Sequence, residues 1–257
     1  MLPEQRRQYL ETIGIDVWVR RARGTSVEVP AAAPAETRAP DRQEAAAGEP
    51  RGNTVVPSAE VATQWQQLLE EVRRCTLCPL HATRTQGVLG VGPKRADWLV
   101  IGEAPGAEED RRGEPFVGAA GQLLDAMLRA IGLDRRTNVY IANVLKSRPP
   151  NNRDPRPEEV GACLPYLVRQ IALLQPKIML AVGRIAAQNL LGTDAPLGRL
   201  RSRVHHFGER QTPLVVTYHP AYLLRTPADK RKAWEDLKFA RSVYQQLMQG
   251  AADGHRS

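Results

Sequence analysis

Residues 98–102 read WLVIG, a short apolar run that ends at a glycine, as expected of a buried strand. Three further runs of this kind are VYIANV at 139–144, KIMLAVG at 177–183 and LVVTY at 214–218. Strands that alternate with helices predict a parallel sheet covered on both faces, in an α/β fold. Apolar residues at helical spacing do alternate with these runs, over residues 61–74, 121–131, 158–174, 184–191 and 227–248.

The chain divides into unequal parts at about residue 59. Residues 25–58 are rich in alanine, proline, glutamate, arginine and glycine, and such a stretch buries too little apolar surface to offset its backbone entropy. We therefore expect a disordered linker at 25–58, between an N-terminal leader at 1–24 and a folded domain at 59–250, and a disordered tail at 251–257. Apolar residues among the arginines of the leader leave two interpretations open: a partly ordered segment, or a short amphipathic helix that docks a protein partner.

The composition favours a polyanionic partner. The 257 residues carry 36 Lys and Arg against 28 Asp and Glu, a formal net charge of +8, and a basic surface attracts nucleic acid or an acidic membrane face. No apolar run approaches the roughly 20 residues of a membrane helix, and the first residues lack the apolar core of a secretory signal. We therefore expect a cytoplasmic protein with no membrane partner. Its three cysteines cannot all pair with one another, so thiol or metal chemistry is expected rather than disulfides.

A loop dense in glycine, proline and carboxylates follows the first strand. It reads GEAPGAEED at 102–110 and GEPFVG at 113–118, a composition typical of a rigid turn that brings backbone and acid groups close to a ligand. Phe116 lies in this loop between Pro115 and Val117. Its ring has two open interpretations, a stacking platform for a planar ligand or an anchor in the core.

Polar side chains follow two of the other strands. Asn143 ends the second strand, where its amide offers a donor and an acceptor that can read a pyrimidine edge or simply close a turn. His219 follows the fourth strand as a hydrogen-bond donor or acid, and Arg225 nearby can meet a phosphate. Because parallel strands place their carboxyl ends at one edge of the sheet, where α/β folds bind ligands, we expect these groups at one rim.

Four segments in this order, GEAPGAEED, GEPFVGAAGQLLD, NVLKSRPPNNRDPRP and TYHPAYLLR, resemble the iron–sulfur (family 4) uracil-DNA glycosylases. The resemblance extends from about Cys75 to Leu247. It implies a three-layer α/β/α uracil-DNA glycosylase fold with a central four-stranded parallel sheet. It also implies a monofunctional hydrolase of base excision repair, which flips uracil out of DNA and hydrolyses its N-glycosidic bond to leave an abasic site.

The resemblance gives roles to three residues of the rim. Phe116 would stack on the flipped uracil, Asn143 would hydrogen-bond its pyrimidine edge, and His219 would face its O2. Cleavage of the glycosidic bond builds negative charge on the departing base, and a donor at O2 stabilises that charge where it forms.

The sequence offers two candidates for the residue that activates water. Gly102 and Ala104 would belong to the uracil-binding loop, but the better-known single-domain branch of the superfamily has its water-activating Asp at the position of Ala104. In this chain the role falls to Glu103 or Glu109, and both alternatives stay open.

Contacts with DNA are expected around the same rim. Leu223 or Leu224 would wedge into the gap that the flipped base leaves, or both would pack in the core. Phosphate contacts that weaken steeply in salt are predicted for five arginines: Arg148, Arg153, Arg201, Arg203 and Arg225.

Cys75 and Cys78 have the C-x-x-C spacing of two thiolates on one metal centre. The resemblance implies a 4Fe–4S cluster with Cys163 and a fourth cysteine, at a position where this chain has Ser147. A serine oxygen is a harder and less acidic ligand than a thiolate and should hold iron less tightly. Three outcomes stay open: a four-iron cluster completed by Ser147 or an outside ligand, a three-iron cluster, and loss of the cluster. We expect a labile cluster on three cysteines that orders loops and takes no part in hydrolysis.

Two other functions compete with uracil excision. A catalytically weak or inactive DNA-binding or replication-associated protein of the same fold is favoured by the replaced ligand and the long linker. A related branch traps uracil-DNA through a histidine in an inserted basic loop, but residues 148–157 contain no histidine. We expect the enzyme, acting as a monomer on uracil-containing DNA.

Overall fold

The computed structural model of the protein describes residues 59–253. Its centre is a single five-stranded sheet in the order β2-β1-β3-β5-β4, in which β4 pairs antiparallel with β5 and every other neighbouring pair is parallel. The strands are β1 Trp98–Gly102, β2 Val139–Asn143, β3 Ile178–Val182, β4 His205–Phe207 and β5 Thr212–Thr217. The four predicted strands are therefore present and parallel, and β4 is an additional edge strand.

Eight α-helices accompany the sheet within the described residues. They are α1 Ala59–Arg74, α2 Ala107–Arg112, α3 Ala119–Ala130, α4 Pro157–Leu174, α5 Arg184–Leu191, α6 Leu197–Leu200, α7 Pro220–Arg225 and α8 Lys230–Asp253, with short 3₁₀ turns at Pro79–Ala82, Pro150–Asn152 and Pro227–Asp229. The last helix thus begins after a 3₁₀ turn and ends beyond the expected domain boundary at residue 250. The expected leader and linker lie outside the described residues, as does the tail after Asp253.

Helices cover both faces of the sheet, which confirms the predicted three-layer α/β/α fold. In β1, Leu99 and Ile101 belong to the core shared with α1, α4 and α5, whereas Trp98 and Val100 belong to the core shared with α3 and α8. Successive side chains of a strand point to opposite faces, so both sets are buried. This double burial is why the strands read as continuous apolar runs rather than as alternating ones.

The topology places the ends of the parallel strands at one edge. Gly102 pairs with Asn143 where β1 and β2 end, Gly183 follows β3, and His219 follows β5 by two residues. The edge where these strands end is where an α/β sheet binds ligands. No helix among residues 59–253 is both long and apolar enough to span a membrane.

Candidate active site at the carboxyl edge of the sheet

A cavity of about 400 Å³ opens at this edge. The predicted site residues that line it are Glu103, Ala104, Glu109, Phe116, Asn143, Arg153, His219 and Arg225. A slightly larger cavity, of about 460 Å³, lies near Trp98 and Tyr244 at the other end of the strands and contains none of the predicted residues. The chemistry-bearing groups therefore converge on the smaller cavity.

Gly102 allows the Phe116 ring and the Asn143 amide to pack closely against the end of β1. A Cβ at this position would collide with Oδ1 of Asn143 and would lie 2.6 Å from Cζ of Phe116. Any other residue would push apart the two side chains that the sequence assigns to base recognition. The glycine that ends the WLVIG run is thus a requirement of the site as well as of the strand.

Phe116 is held in a backbone conformation that aromatic residues rarely adopt. Its φ is +55°, in the left-handed region where a bulky side chain is strained. Arg135 stabilises this turn: its guanidinium donates to the carbonyl of Phe116 at 3.0 Å and to that of Pro115 at 3.3 Å, and it pairs with Asp125 at 2.7 Å. The Phe116 ring packs in the core and also lines the cavity, so both interpretations of this residue describe part of its surroundings. No local sequence pattern marks Arg135, because its partners are distant in the chain.

Two of the loop carboxylates have different surroundings. Glu109 accepts hydrogen bonds from the main-chain N–H groups of Val117 at 3.2 Å and Gly118 at 3.5 Å, so its carboxylate orders the loop. Burial raises the pKa of Glu103 to about 7; the negative charge of Asp154 adds to this rise, and Arg184 opposes it. Glu103 therefore changes its charge near neutral pH.

The imidazole of His219 is neutral and has a defined tautomer. Its Nδ1 accepts a hydrogen bond from the main-chain N–H of Ala221 at 3.1 Å, which leaves the proton on Nε2. Burial lowers the pKa of His219 to about 4, and the charge of Arg225 contributes to the decrease. Gly183, at φ +100°, permits this packing, since a Cβ there would lie 2.9 Å from the Cβ of His219. His219 is thus an uncharged N–H donor at neutral pH.

Asn143 provides an acceptor that has no partner. The residue is 2% exposed, and its buried Oδ1 makes no hydrogen bond with any described residue. An unsatisfied buried acceptor costs about 1–3 kcal/mol. That cost is recovered when a ligand N–H enters the cavity.

The loop that follows β2 closes one side of the cavity through ion pairs. Arg153 forms a bidentate pair with the buried carboxylate of Glu159, at 2.5 and 2.9 Å. Asp154 pairs with Arg184 at 2.8 Å and also lines the cavity. The guanidinium of Arg153 is therefore already engaged, and Asp154 is a cavity residue that no motif had singled out.

The predicted DNA-contact residues differ in how accessible they are. Arg201 is bound to the fully buried Asp236 at 2.6 and 2.9 Å, and its side chain is 12% exposed. Because the guanidinium compensates a buried charge, this geometry does not favour the predicted phosphate contact of Arg201, which stays a prediction. Leu223 is 1% exposed and belongs to the core, whereas Leu224 is 43% exposed. Of the two leucines, only Leu224 has a side chain available for the gap in DNA.

Three of the remaining predicted arginines meet fewer internal partners. Arg203 and Arg225 are exposed, and Arg225 lines the cavity. Arg148 is half-buried and donates from Nε to Oδ1 of Asn152 at 2.9 Å. Arg225 is therefore the predicted arginine that combines exposure with a place at the cavity.

All three cysteines are free, and they lie in one region. Burial raises the pKa of the Cys163 thiol, and the nearby Cys75 and Cys78 add to this rise against the main-chain N–H of Lys146. No three His, Cys, Asp or Glu residues within 59–253 surround a position suited to a single metal ion. The hydroxyl of Ser147 accepts a hydrogen bond from Arg84 at 2.7 Å.

Arg84 joins the segments around the cysteines. Its other terminal nitrogen donates to the main-chain carbonyls of Arg73 and Cys75, each at 2.9 Å. One guanidinium thus connects the end of α1 and the C-x-x-C segment to Ser147. Sequence spacing gave no indication of this contact.

Comparison with known proteins defines the class. The sequence model of the uracil DNA glycosylase superfamily matches residues 89–238, and the chain belongs to this superfamily. Within it, the chain is 45% identical to the type-4 uracil-DNA glycosylase of Archaeoglobus fulgidus over 177 residues, which cover 66% of this chain and 88% of that protein. It is 46% identical to the type-4 enzyme of Pyrobaculum aerophilum (67% and 90% covered) and 42% identical to that of Thermotoga maritima (67% and 91% covered). These findings confirm the resemblance seen in the motifs.

Proposed function

We propose that this protein excises uracil from DNA by flipping the base into the carboxyl-edge cavity and hydrolysing its N-glycosidic bond, which leaves an abasic site. The observation that carries the proposal is the convergence of Phe116, Asn143, His219 and Glu103 on one cavity. Membership of the superfamily and the type-4 relatives support the same substrate.

Base recognition follows from the ring and the amide. The flipped pyrimidine stacks on Phe116, while the unpartnered Oδ1 of Asn143 accepts from N3–H of uracil and the amide N–H₂ donates to O4. Cytosine presents the opposite pattern, an acceptor at N3 and a donor at position 4. In this orientation, with Oδ1 facing N3, the Asn143 amide matches the edge of uracil and not that of cytosine.

Bond cleavage uses charge stabilisation by an uncharged donor. As the bond breaks, negative charge grows on the base and positive charge on the sugar. His219 donates from Nε2 to O2 of the departing base, and its low pKa means that it acts as a hydrogen-bond donor rather than as an acid. We assign the water-orienting and cation-stabilising carboxylate to Glu103, because Glu109 is occupied by the amides of the Phe116 loop.

Entry of the base into the cavity requires it to leave the DNA stack, which costs a few kcal/mol. Leu224, the exposed leucine after His219, fills the vacated space, and Arg225 beside it binds a flanking phosphate. Because phosphate binding releases counterions, the affinity for DNA decreases with salt.

The three cysteines support a structural iron–sulfur cluster. Cys75 and Cys78 lie near Cys163, and thiolates are the ligands that iron–sulfur clusters take. Cys75 and Cys78 would hold such a cluster at the C-x-x-C segment and Cys163 would hold it at α4, so the bound group would connect the two segments. Ser147, hydrogen-bonded by Arg84, stands at the fourth position, so we infer a cluster held by three thiolates, with weaker retention of its iron.

The setting of the reaction is inferred from the same features. We place the protein in the cytoplasm, a reducing compartment in which thiolates that hold a cluster stay reduced. We infer that the protein acts as a monomer, and residues 1–24 are the segment we assign to any protein partner. Gel filtration of the full chain at micromolar concentration tests the oligomeric state.

The test of the function is strand breakage after alkali in a labelled oligonucleotide with one uracil. Breakage at the uracil by the wild-type protein is expected, with large losses in His219→Ala and Glu103→Ala. His206→Ala, an exposed histidine on β4, is the matched control and should keep full activity. A wild-type protein that binds the oligonucleotide but leaves it intact, even after cluster reconstitution, would instead establish the DNA-binding alternative.

A further inference from the structure

Lys146 is a buried basic residue that the proposed mechanism does not use. It is 1% exposed and does not line the cavity. A buried ammonium is costly unless its donors are met. Here its Nζ has three acceptors for three N–H bonds: the carbonyl of Asn143 at 2.7 Å, Oε1 of Gln170 at 2.5 Å and the carbonyl of Leu89 at 3.4 Å.

The three acceptors belong to separate parts of the fold. Asn143 ends β2, Gln170 lies on α4, and Leu89 lies in the segment before β1. Gln170 is itself fixed, because its Nε2 donates to the carbonyl of Leu89 at 3.0 Å and to the hydroxyl of Tyr140 at 3.3 Å. Lys146 therefore attaches the main chain of Asn143 to a rigid, fully buried network.

This attachment adds to the pairing of Asn143 with Gly102 at the ends of β1 and β2. Oδ1 of Asn143 has no hydrogen-bond partner among the described residues, so this oxygen is not fixed by a bond of its own. The position of the amide then follows from the main chain that carries it. A displacement of about 1 Å at a reacting or recognising group is enough to reduce rates by about 100-fold.

We propose that Lys146 is a positioning residue for uracil recognition, which holds the main chain of Asn143 against α4 through its hydrogen bond with Gln170. The inference rests on the proposed function, because it concerns the amide that reads uracil. It also connects the recognition residue to the helix that carries Cys163, whose sulfur accepts from the main-chain N–H of Lys146 at 3.4 Å.

The test is a double-mutant cycle between positions 146 and 143. Lys146→Met is one atom shorter, keeps most of the length of the side chain and removes its donors. We expect it to lower kcat/KM for uracil excision by about tenfold or more and to weaken inhibition by free uracil by a similar factor. Affinity for the same duplex with thymine in place of uracil should stay within about twofold of wild type.

In the Asn143→Ala background, single-turnover rates should show no more than about a twofold further loss from Lys146→Met, because the effect passes through Asn143. Lys177→Met, which removes an exposed lysine paired with Asp97, is the matched control. Gln170→Met breaks the other end of the same link and replaces Lys146→Met in the cycle if that variant does not fold.

The outcomes separate the two proposals. A wild-type protein that excises no uracil overturns both. An active wild type with Lys146→Met equal to Lys177→Met overturns the positioning role alone. Additive losses in the cycle, or equal losses of affinity for uracil and thymine duplexes, also overturn it, because they indicate a general structural effect.

Discussion

The cavity and the cysteine region lie at opposite ends of one short segment, from Asn143 to Ser147. They differ in whether all the residues that their proposed functions need are present. Every residue type that the proposed reaction needs is present in the cavity. In the cysteine region one of the four expected ligand positions holds serine, and its hydroxyl is bound by Arg84.

The proposed functions of the two regions place different requirements on their residues. In the proposed reaction, excision depends on single atoms, such as Nε2–H of His219 or Oδ1 of Asn143, and we expect no neighbour to substitute for them. The proposed role of the cysteine region is structural: it keeps the segments that carry the cysteines joined. Arg84 supplies part of that joining through three hydrogen bonds, so the loss of one ligand there is tolerable in a way that loss of His219 is not.

The largest expected effect concerns the ionisation of the cavity. In its proposed role Glu103 acts as a carboxylate, and burial raises its pKa to about 7. Its charge is therefore lost as the pH falls, and kcat should decrease about tenfold per pH unit below 7, to about 100-fold at pH 5. His219 stays neutral over this range because its pKa is about 4. Excision rates from pH 5 to 9 measure the profile, Glu103→Gln should remove the slope, and a flat wild-type profile would exclude Glu103 from the role.

The next effect concerns the turn that presents Phe116. Arg135→Met removes two hydrogen bonds to this turn and leaves Asp125 unpaired. We expect kcat/KM to fall by about tenfold and the free energy of unfolding by about 1–3 kcal/mol. Excision kinetics and urea denaturation measure the two losses. The neighbouring Arg136→Met, at an exposed side chain, should change neither, and equal behaviour of the two variants would contradict the assignment.

A smaller effect is expected at the two adjacent leucines. Leu224→Ala should slow excision from duplex DNA by about fivefold and leave single-stranded DNA unaffected, since an unpaired base needs no wedge. Leu223→Ala should instead lower the free energy of unfolding by about 2–5 kcal/mol, because Leu223 is in the core. Parallel assays on the two substrates and chemical denaturation distinguish these outcomes. A loss on both substrates in Leu224→Ala would argue against the wedge.

The smallest catalytic effect is expected in the cysteine region. Ser147→Cys should raise the iron content per chain and the melting temperature, while kcat changes by less than about twofold. Iron analysis, absorbance of the cluster and thermal unfolding provide the measurements. Ser242→Cys adds a cysteine at an exposed position of α8 and controls for a thiol alone. Equal iron in Ser147→Cys and wild type would show that position 147 does not limit the cluster.

The sequence predicts the layered fold well because its strands are buried on both faces and read as continuous apolar runs. The strand β4 was not predicted, since His205–Phe207 is short and largely unburied. The ends of the strands also located the cavity, because parallel topology brings those ends together whatever the details of packing.

The sequence patterns did not predict the exposure of individual side chains or their partners. Arg201 and Arg225 are the same residue type, but Arg201 is bound to the buried Asp236 whereas Arg225 lines the cavity. Leu223 and Leu224 are neighbours with opposite exposure. Such differences, like the contacts of Arg135, depend on residues far away in the chain and become visible only once the layers are assembled.

The hydrogen bond that fixes the tautomer of His219 comes from the main chain of Ala221. Nineteen of the twenty genetically encoded residues possess that N–H, and only proline lacks it. Of all substitutions at position 221, only proline would therefore remove the hydrogen bond that places the imidazole proton on Nε2. In the proposed reaction, the position of this proton is therefore set by a main-chain group rather than by the identity of the side chain at position 221.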